Sequence, residues 1–131
     1  MMKDFRLLAD RVGVFASTAC AVHCLALPLL LVAGVTFPVA FLEDEFIHQA
    51  LLFFVLPAAI VAFSLGCKKH KDLWVLGAGG LGLVGICSAA VLHEALGENL
   101  ERIVTLISAA LLIAAHIRNY KLCRTEHCEH D

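Results

Sequence analysis

The sequence predicts an all-α, polytopic membrane protein with four transmembrane helices and both termini cytoplasmic. Three observations carry this expectation. Four stretches, 12–42, 46–67, 73–93 and 103–117, contain no Asp, Glu, Lys or Arg. The 131 residues are 60% hydrophobic, and the mean hydropathy of +0.85 lies well beyond that of a soluble globular domain. The basic residues, finally, fall in alternate loops.

Each span follows from length and flanking charge. A helix needs about 20 apolar residues to cross a hydrocarbon core of roughly 30 Å. The first three stretches meet that length, with spans expected at about 12–36, 46–67 and 73–93. The fourth offers about 15 residues, or roughly 22 Å of helix. It spans if Arg102 and Arg118 snorkel to the two interfaces and the helix extends back to Leu100, giving 100–118. A Cys/His tail, 119–131, follows, and one membrane domain accounts for the whole chain. The first stretch is not expected to be a cleaved signal peptide. Its apolar run is about twice the 7–15 residues of a secretory h-region.

Orientation comes from the loops. Lys3, Arg6 and Arg11 precede span one, Lys68, Lys69 and Lys71 separate spans two and three, and Arg118, Lys121 and Arg124 follow span four. The other two loops hold Arg102 against Glu43, Asp44, Glu45, Glu94, Glu98 and Glu101. The positive-inside rule then puts both termini in the cytoplasm and both acidic loops outside. Pro28 and Pro57 fall inside spans one and two, where each removes a backbone donor. In span three, Ala78 and Gly82, then Gly85 and Ala89, are small residues four apart, so another helix can approach closely. Such an approach is one way to bring Cys87 near span one; tight packing alone is the other reading.

The chemistry rests on the cysteines. With this topology Cys67, Cys123 and Cys128 lie in or beside a reducing compartment and Cys20, Cys24 and Cys87 within the membrane, so structural disulfides are not expected. Cys20 and Cys24 are four residues apart and share one helix face, with His23 bordering it. Two thiolates bind a soft cation and neutralise its charge in a low-dielectric medium, whereas carboxylates suit Mg²⁺ or Ca²⁺. Cys20, Cys24 and His23 are therefore the candidate intramembrane ligands. Depth counting puts Cys87 at a height similar to that of Cys24, as a weaker candidate. His48 and His93 sit at the outer ends of spans two and three beside Asp44, Glu45 and Glu94. They are weaker candidates for holding a cation on its way in. His116, near the inner end of span four, is expected to pack or hydrogen-bond between helices. In the tail, Cys123, His127 and Cys128 form a soft or borderline chelate suited to passing metal onward, without the spacing of a zinc finger.

These residues resemble the MerC family of mercury-resistance membrane proteins. The resemblance covers essentially the whole chain. It rests on Leu8-Ala-Asp10-Arg11-Val-Gly13, the Cys20/Cys24 pair, the basic Lys68-Lys-His-Lys71 turn, the four-span plan and the Cys123/Cys128 pair. It implies a four-helix bundle in the bacterial inner membrane that takes up mercuric ion. The ion would pass from Cys20 and Cys24 to Cys123 and Cys128, or to a cytoplasmic acceptor such as mercuric reductase. Mercury-operon members carry the first pair as Cys-x-x-Cys. Here three residues intervene and one is His23, a form that also accommodates Zn²⁺ or copper.

The expected activity is thus carriage of a soft metal ion by thiol exchange, Hg²⁺ first. No permanently bound cofactor, enzymatic activity or nucleic-acid partner is expected; the partners are the lipid bilayer, the ion and its acceptor. A metal-binding accessory or sensor subunit is the alternative. A membrane thiol–disulfide oxidoreductase fits less well, because neither outer loop carries a cysteine. No Walker motif marks an energy source.

Overall fold

The computed structural model describes residues 2–35, 45–65 and 72–125. They form four long helices and one isolated turn: α1 (Met2–Val32), α2 (Glu45–Ser64), α3 (Leu73–Val91), α4 (His93–Leu96) and α5 (Glu98–Thr125). Among the described residues there is no strand.

Local chemistry sets the helix ends. Past the end of α1, Gly34 adopts φ 76°. Its N–H bonds the Leu31 carbonyl and the Val35 N–H the Leu30 carbonyl, a Schellman closure that favours glycine. Asp72 caps α3, its carboxylate accepting from the Trp74 and Val75 N–H groups at 2.9 and 3.4 Å. Gly97, at φ 72°, makes the turn that separates α4 from α5.

The long helices run alternately up and down. α1 packs on α2 and α5, α5 packs on α3, and α2 meets α3 to close the ring. Cross-links fix the directions. Asp10 of α1 bonds His116 of α5, Asn119 bonds the Ala62 carbonyl of α2, and Arg118 bonds Asp72 before α3. One end of the bundle therefore holds the start of α1, the end of α2, the start of α3 and the end of α5. This terminal end carries Arg6, Arg11, Arg118, Lys121 and Arg124. The opposite end carries Glu94, Glu98 and Glu101, with Arg102.

Three helices are long and apolar enough to cross a membrane: Asp4–Val32, Leu73–Val91 and Glu98–Arg124. A fourth apolar run, Gln49–Ser64, is shorter. The fourth stretch, the shortest by sequence, thus belongs to a 28-residue helix. It extends because Thr105, Ser108, Leu112, His116, Asn119 and Cys123 keep one buried face in register across the charged residues. Residues 119–125, read as the start of a tail, continue that helix.

The core is built from small and β-branched side chains, with Ala16, Cys20, Val55, Ala59, Ile86 and Leu112 forming one cluster. Phe15, Leu29, Phe53, Leu81, Val84 and Val91 point outward. Large apolar groups on the outside and small ones inside suit a bundle solvated by lipid. The glycines of α3 take up the closest approach. A Cβ on Gly82 would lie 2.7 Å from Leu112 Cγ and 3.0 Å from the Ser108 carbonyl, and one on Gly85 would strike Ser108 Oγ. The partner brought close is α5, and not α1.

Candidate metal centre

Cys20 and Cys24 stand one turn apart on the inner face of α1, 3% and 5% exposed. Their thiols are near enough to hydrogen-bond, and neither is in a disulfide. Pro28, one turn further on, has no N–H to offer the Cys24 carbonyl. The helix continues through it.

Both thiols line a cavity of about 390 Å³. Leu27, Val55 and Ile86 supply its apolar wall. Toward the loop end the lining turns polar, with Gln49, His93, Glu98, Glu101, Arg102 and Thr105. Arg102 donates to Glu98 Oε1 at 2.7 Å, one turn away on α5. The cavity thus joins a polar, acidic end to a buried pair of thiols.

The remaining sequence candidates distribute as follows. His93 lines the cavity, its Nδ1 3.3 Å from the Ala90 carbonyl oxygen. His23 is buried but does not line the cavity. It follows Cys20 by three residues and precedes Cys24 by one, which turns its ring onto the adjoining flank of α1. Cys87 is half-buried against the core cluster and is not in the cavity wall, where α3 contributes Ile86 and Ala90 instead. Cys123 is buried on α5 at the terminal end, 5% exposed. His48 lies in the first turn of α2, with its side chain outside the described residues; Cys67, His127 and Cys128 lie outside them altogether. Among the described residues no three of His, Cys, Asp and Glu converge on one point.

Two groups escaped the sequence reading. The acidic residues that line the cavity with the thiols, among those whose side chains are described, are Glu98 and Glu101 of α5; Asp44 and the side chain of Glu45 lie outside the described residues. The signal was present: Glu98, Glu101 and Thr105 recur at helical spacing. The second group lies at the terminal end. Asp10 and His116, both 0% exposed, bond through Oδ1 and Nδ1 at 2.9 Å. Asn119 Nδ2 donates to Asp10 Oδ2 at 2.9 Å, and Phe63 stacks on the imidazole at 4.6 Å. His116 therefore bonds between helices, as its position suggested.

A comparison with known families matches residues 10–121 to the family described as MerC mercury resistance protein. The chain belongs to the MerC family. The match takes in α1 from Asp10 onward and α5 as far as Lys121, so it includes the thiol pair, the cavity and the Asp10–His116 contact. No curated protein and no solved structure matches the chain. This MerC protein is accordingly a mercury-resistance membrane protein, all-helical in its described parts, from a family regarded as transporters rather than enzymes.

Proposed function

We propose that this MerC protein carries mercuric ion across the bacterial inner membrane, from the acidic face inward, by exchange onto Cys20 and Cys24. The cavity of about 390 Å³ joining Glu98 and Glu101 to the two buried thiols is the observation that supports this reading. The ion is substrate and not resident cofactor. The helix orientation follows the charge: the end rich in Arg and Lys faces the cytoplasm, and the four long helices each cross the bilayer.

A divalent cation is drawn to the carboxylates at the mouth and passes His93. It then exchanges its ligands for Cys20 and Cys24, each metal–sulfur bond forming as an older bond breaks. Both thiols lose their protons as the metal binds. The product is neutral, which suits a low-dielectric interior. Two thiolates that meet no third converging ligand among the described residues favour a soft ion content with two sulfurs over Zn²⁺, which takes four ligands in structural sites. Cys123, with Cys128 and His127, is the next station, from which a soluble acceptor such as mercuric reductase draws the ion. Trapping in the cytoplasm supplies the direction.

The test is metal accumulation in cells expressing the wild-type chain or Cys20→Ser/Cys24→Ser at equal membrane levels, with Hg²⁺, Zn²⁺ and copper compared. Mercury accumulation that disappears in the double variant is the expected result. Equal accumulation in the two strains for every metal would sink the carrier reading.

A further inference from the structure

We infer that the cavity receives mercuric ion as its complex with a zwitterionic aminothiol, of which cysteine is the simplest, and that Arg102 and Glu101 recognise that ligand. The inference rests on the proposal that Cys20 and Cys24 take up the metal, and it names the form in which the metal arrives.

A bare divalent cation has no use for a guanidinium on its route. Arg102 nevertheless lines the cavity, its side chain only 24% exposed. It also stands close to the thiols. Cys24 lies as many residues beyond Asp10 as Arg102 lies before His116, and Asp10 and His116 are in contact. Because α1 and α5 run in opposite directions, Cys24 and Arg102 come to about one height. The bond to Glu98 does not by itself explain the placement. A pair at that spacing adds little to a helix and would add the same on its outer face.

The polar end thus carries both signs of charge. Arg102 gives one N–H to Glu98 Oε1 at 2.7 Å, and a guanidinium has five, in a fork that fits a carboxylate. Glu101, also in the wall, is half-buried and takes part in none of the ion pairs among the described residues. A zwitterion offers the complement, an ammonium for Glu101 and a carboxylate for Arg102. Its sulfur carries the metal toward the apolar end, where Leu27, Val55 and Ile86 surround the thiols. The volume agrees. About 390 Å³ falls among small-molecule sites, which run from roughly 300 to 1,000 Å³, and is far more than one ion fills.

The exchange balances without outside help. The Cys24 sulfur bonds the mercury, the bond to one ligand sulfur breaks, and the Cys24 proton leaves on that sulfur as free aminothiol. Cys20 displaces the second ligand in the same way. Two mercury–sulfur bonds form and two break, mercury stays divalent, and no base, oxidant or reductant is consumed. The bonds made and broken are alike, so discrimination falls to the charged groups of the ligand.

The experiment supplies the full chain in detergent, at neutral pH, with mercury as its bis-thiolate complex of cysteine, cysteamine, mercaptopropionate or mercaptoethanol. These ligands carry both charges, the ammonium only, the carboxylate only, or neither. Metal retained by the protein on a desalting column is followed with time, counting only the part absent from Cys20→Ser/Cys24→Ser. Cysteine is expected to deliver about tenfold faster than either singly charged ligand, the scale of one charge-assisted hydrogen bond. Arg102→Gln should bring the cysteine-to-cysteamine rate ratio down to about one, and Glu101→Gln the cysteine-to-mercaptopropionate ratio. A merely structural loss slows all four sources together and leaves the ratios where they were. If a variant fails to fold, the wild-type series tests the inference by itself. Equal wild-type rates from the four complexes overturn it, as does a ratio unchanged in either variant, or transfer from HgCl₂ but from no thiolate. Retention from every source that is the same in Cys20→Ser/Cys24→Ser overturns instead the carrier proposal beneath it.

Discussion

Gly13 shows how much a single hydrogen can carry. Its missing Cβ leaves room for the His116 imidazole, which stacks on Phe63 behind and bonds Asp10 beside it. Gly13→Ala puts a methyl group onto that ring, which is already held by the Phe63 stack and by the Asp10 bond at Nδ1. Overpacking of this kind costs about 1–3 kcal/mol. The expected outcome is a lower unfolding midpoint in detergent, together with weakened Asp10–His116 pairing. Gly77→Ala or Gly80→Ala is the control, since a Cβ at either meets nothing within 4 Å. There the helix gains, by up to about 1 kcal/mol, from the lower entropy of the unfolded chain. Equal losses at Gly13 and Gly77 would mean that backbone propensity, and not the imidazole, decides the effect. Asp10 and Gly13 are both present in the leader that resembles the family, yet nothing local to it reveals what either meets. Their partner lies 106 residues away from Asp10 along the chain.

At the scale of the helix, the pattern of small residues in α3 told which face would approach a neighbour but not which neighbour. Of the two readings of those small residues, the one that brings Cys87 toward span one turned on that missing choice. The partner proves to be α5, because its Ser108–Leu112 face presents a small and a branched residue that fit over Gly82 and Gly85. The two helices are also latched at the terminal end. Arg118 bonds Asp72 Oδ2 at 2.7 Å and lies over the Trp74 ring at 5.2 Å. The bond from Arg118 holds the Asp72 carboxyl below the usual carboxylate range, ahead of the opposing effect of desolvation and with help from the Trp74 and Val75 N–H groups. A carboxyl lowered in the folded state contributes stability that is full above its unfolded value, about 3.9. That contribution disappears as pH falls through the lower folded value. The α3–α5 latch is therefore expected to hold at neutral pH and to weaken below about pH 4. Arg118→Gln should flatten that acid dependence in an unfolding titration; an unchanged titration would remove Arg118 as its cause.

Over the whole molecule, hydropathy and charge made the bundle legible, while of the candidate site only the thiol pair could be read. Cys20 and Cys24 could be paired by spacing alone. The cavity could not, because it depends on α2, α3 and α5 meeting α1 at one height. The shortest apolar run in the plan is that of α2, Gln49–Ser64, which falls below the three clear spanning lengths. Its position nevertheless argues that it crosses. Gln49 lines the cavity with Glu98 and Arg102 at one end, and the Ala62 carbonyl accepts from Asn119 at the other. The 20 residues of α2 as a helix extend about 30 Å, the thickness of a hydrocarbon core. If all four long helices cross, the termini share one side, and the basic residues gathered there make it the cytoplasm. Fluorescent proteins that fold only in the cytoplasm, fused separately to each terminus, should then both fluoresce. A phosphatase active only outside should work when inserted between α1 and α2. Fluorescence from one terminus alone would mean an odd number of crossings and would take α2 out of the membrane. Darkness at both termini with a silent phosphatase would invert the bundle, leaving the acidic mouth of the cavity in the cytoplasm and the thiols facing export.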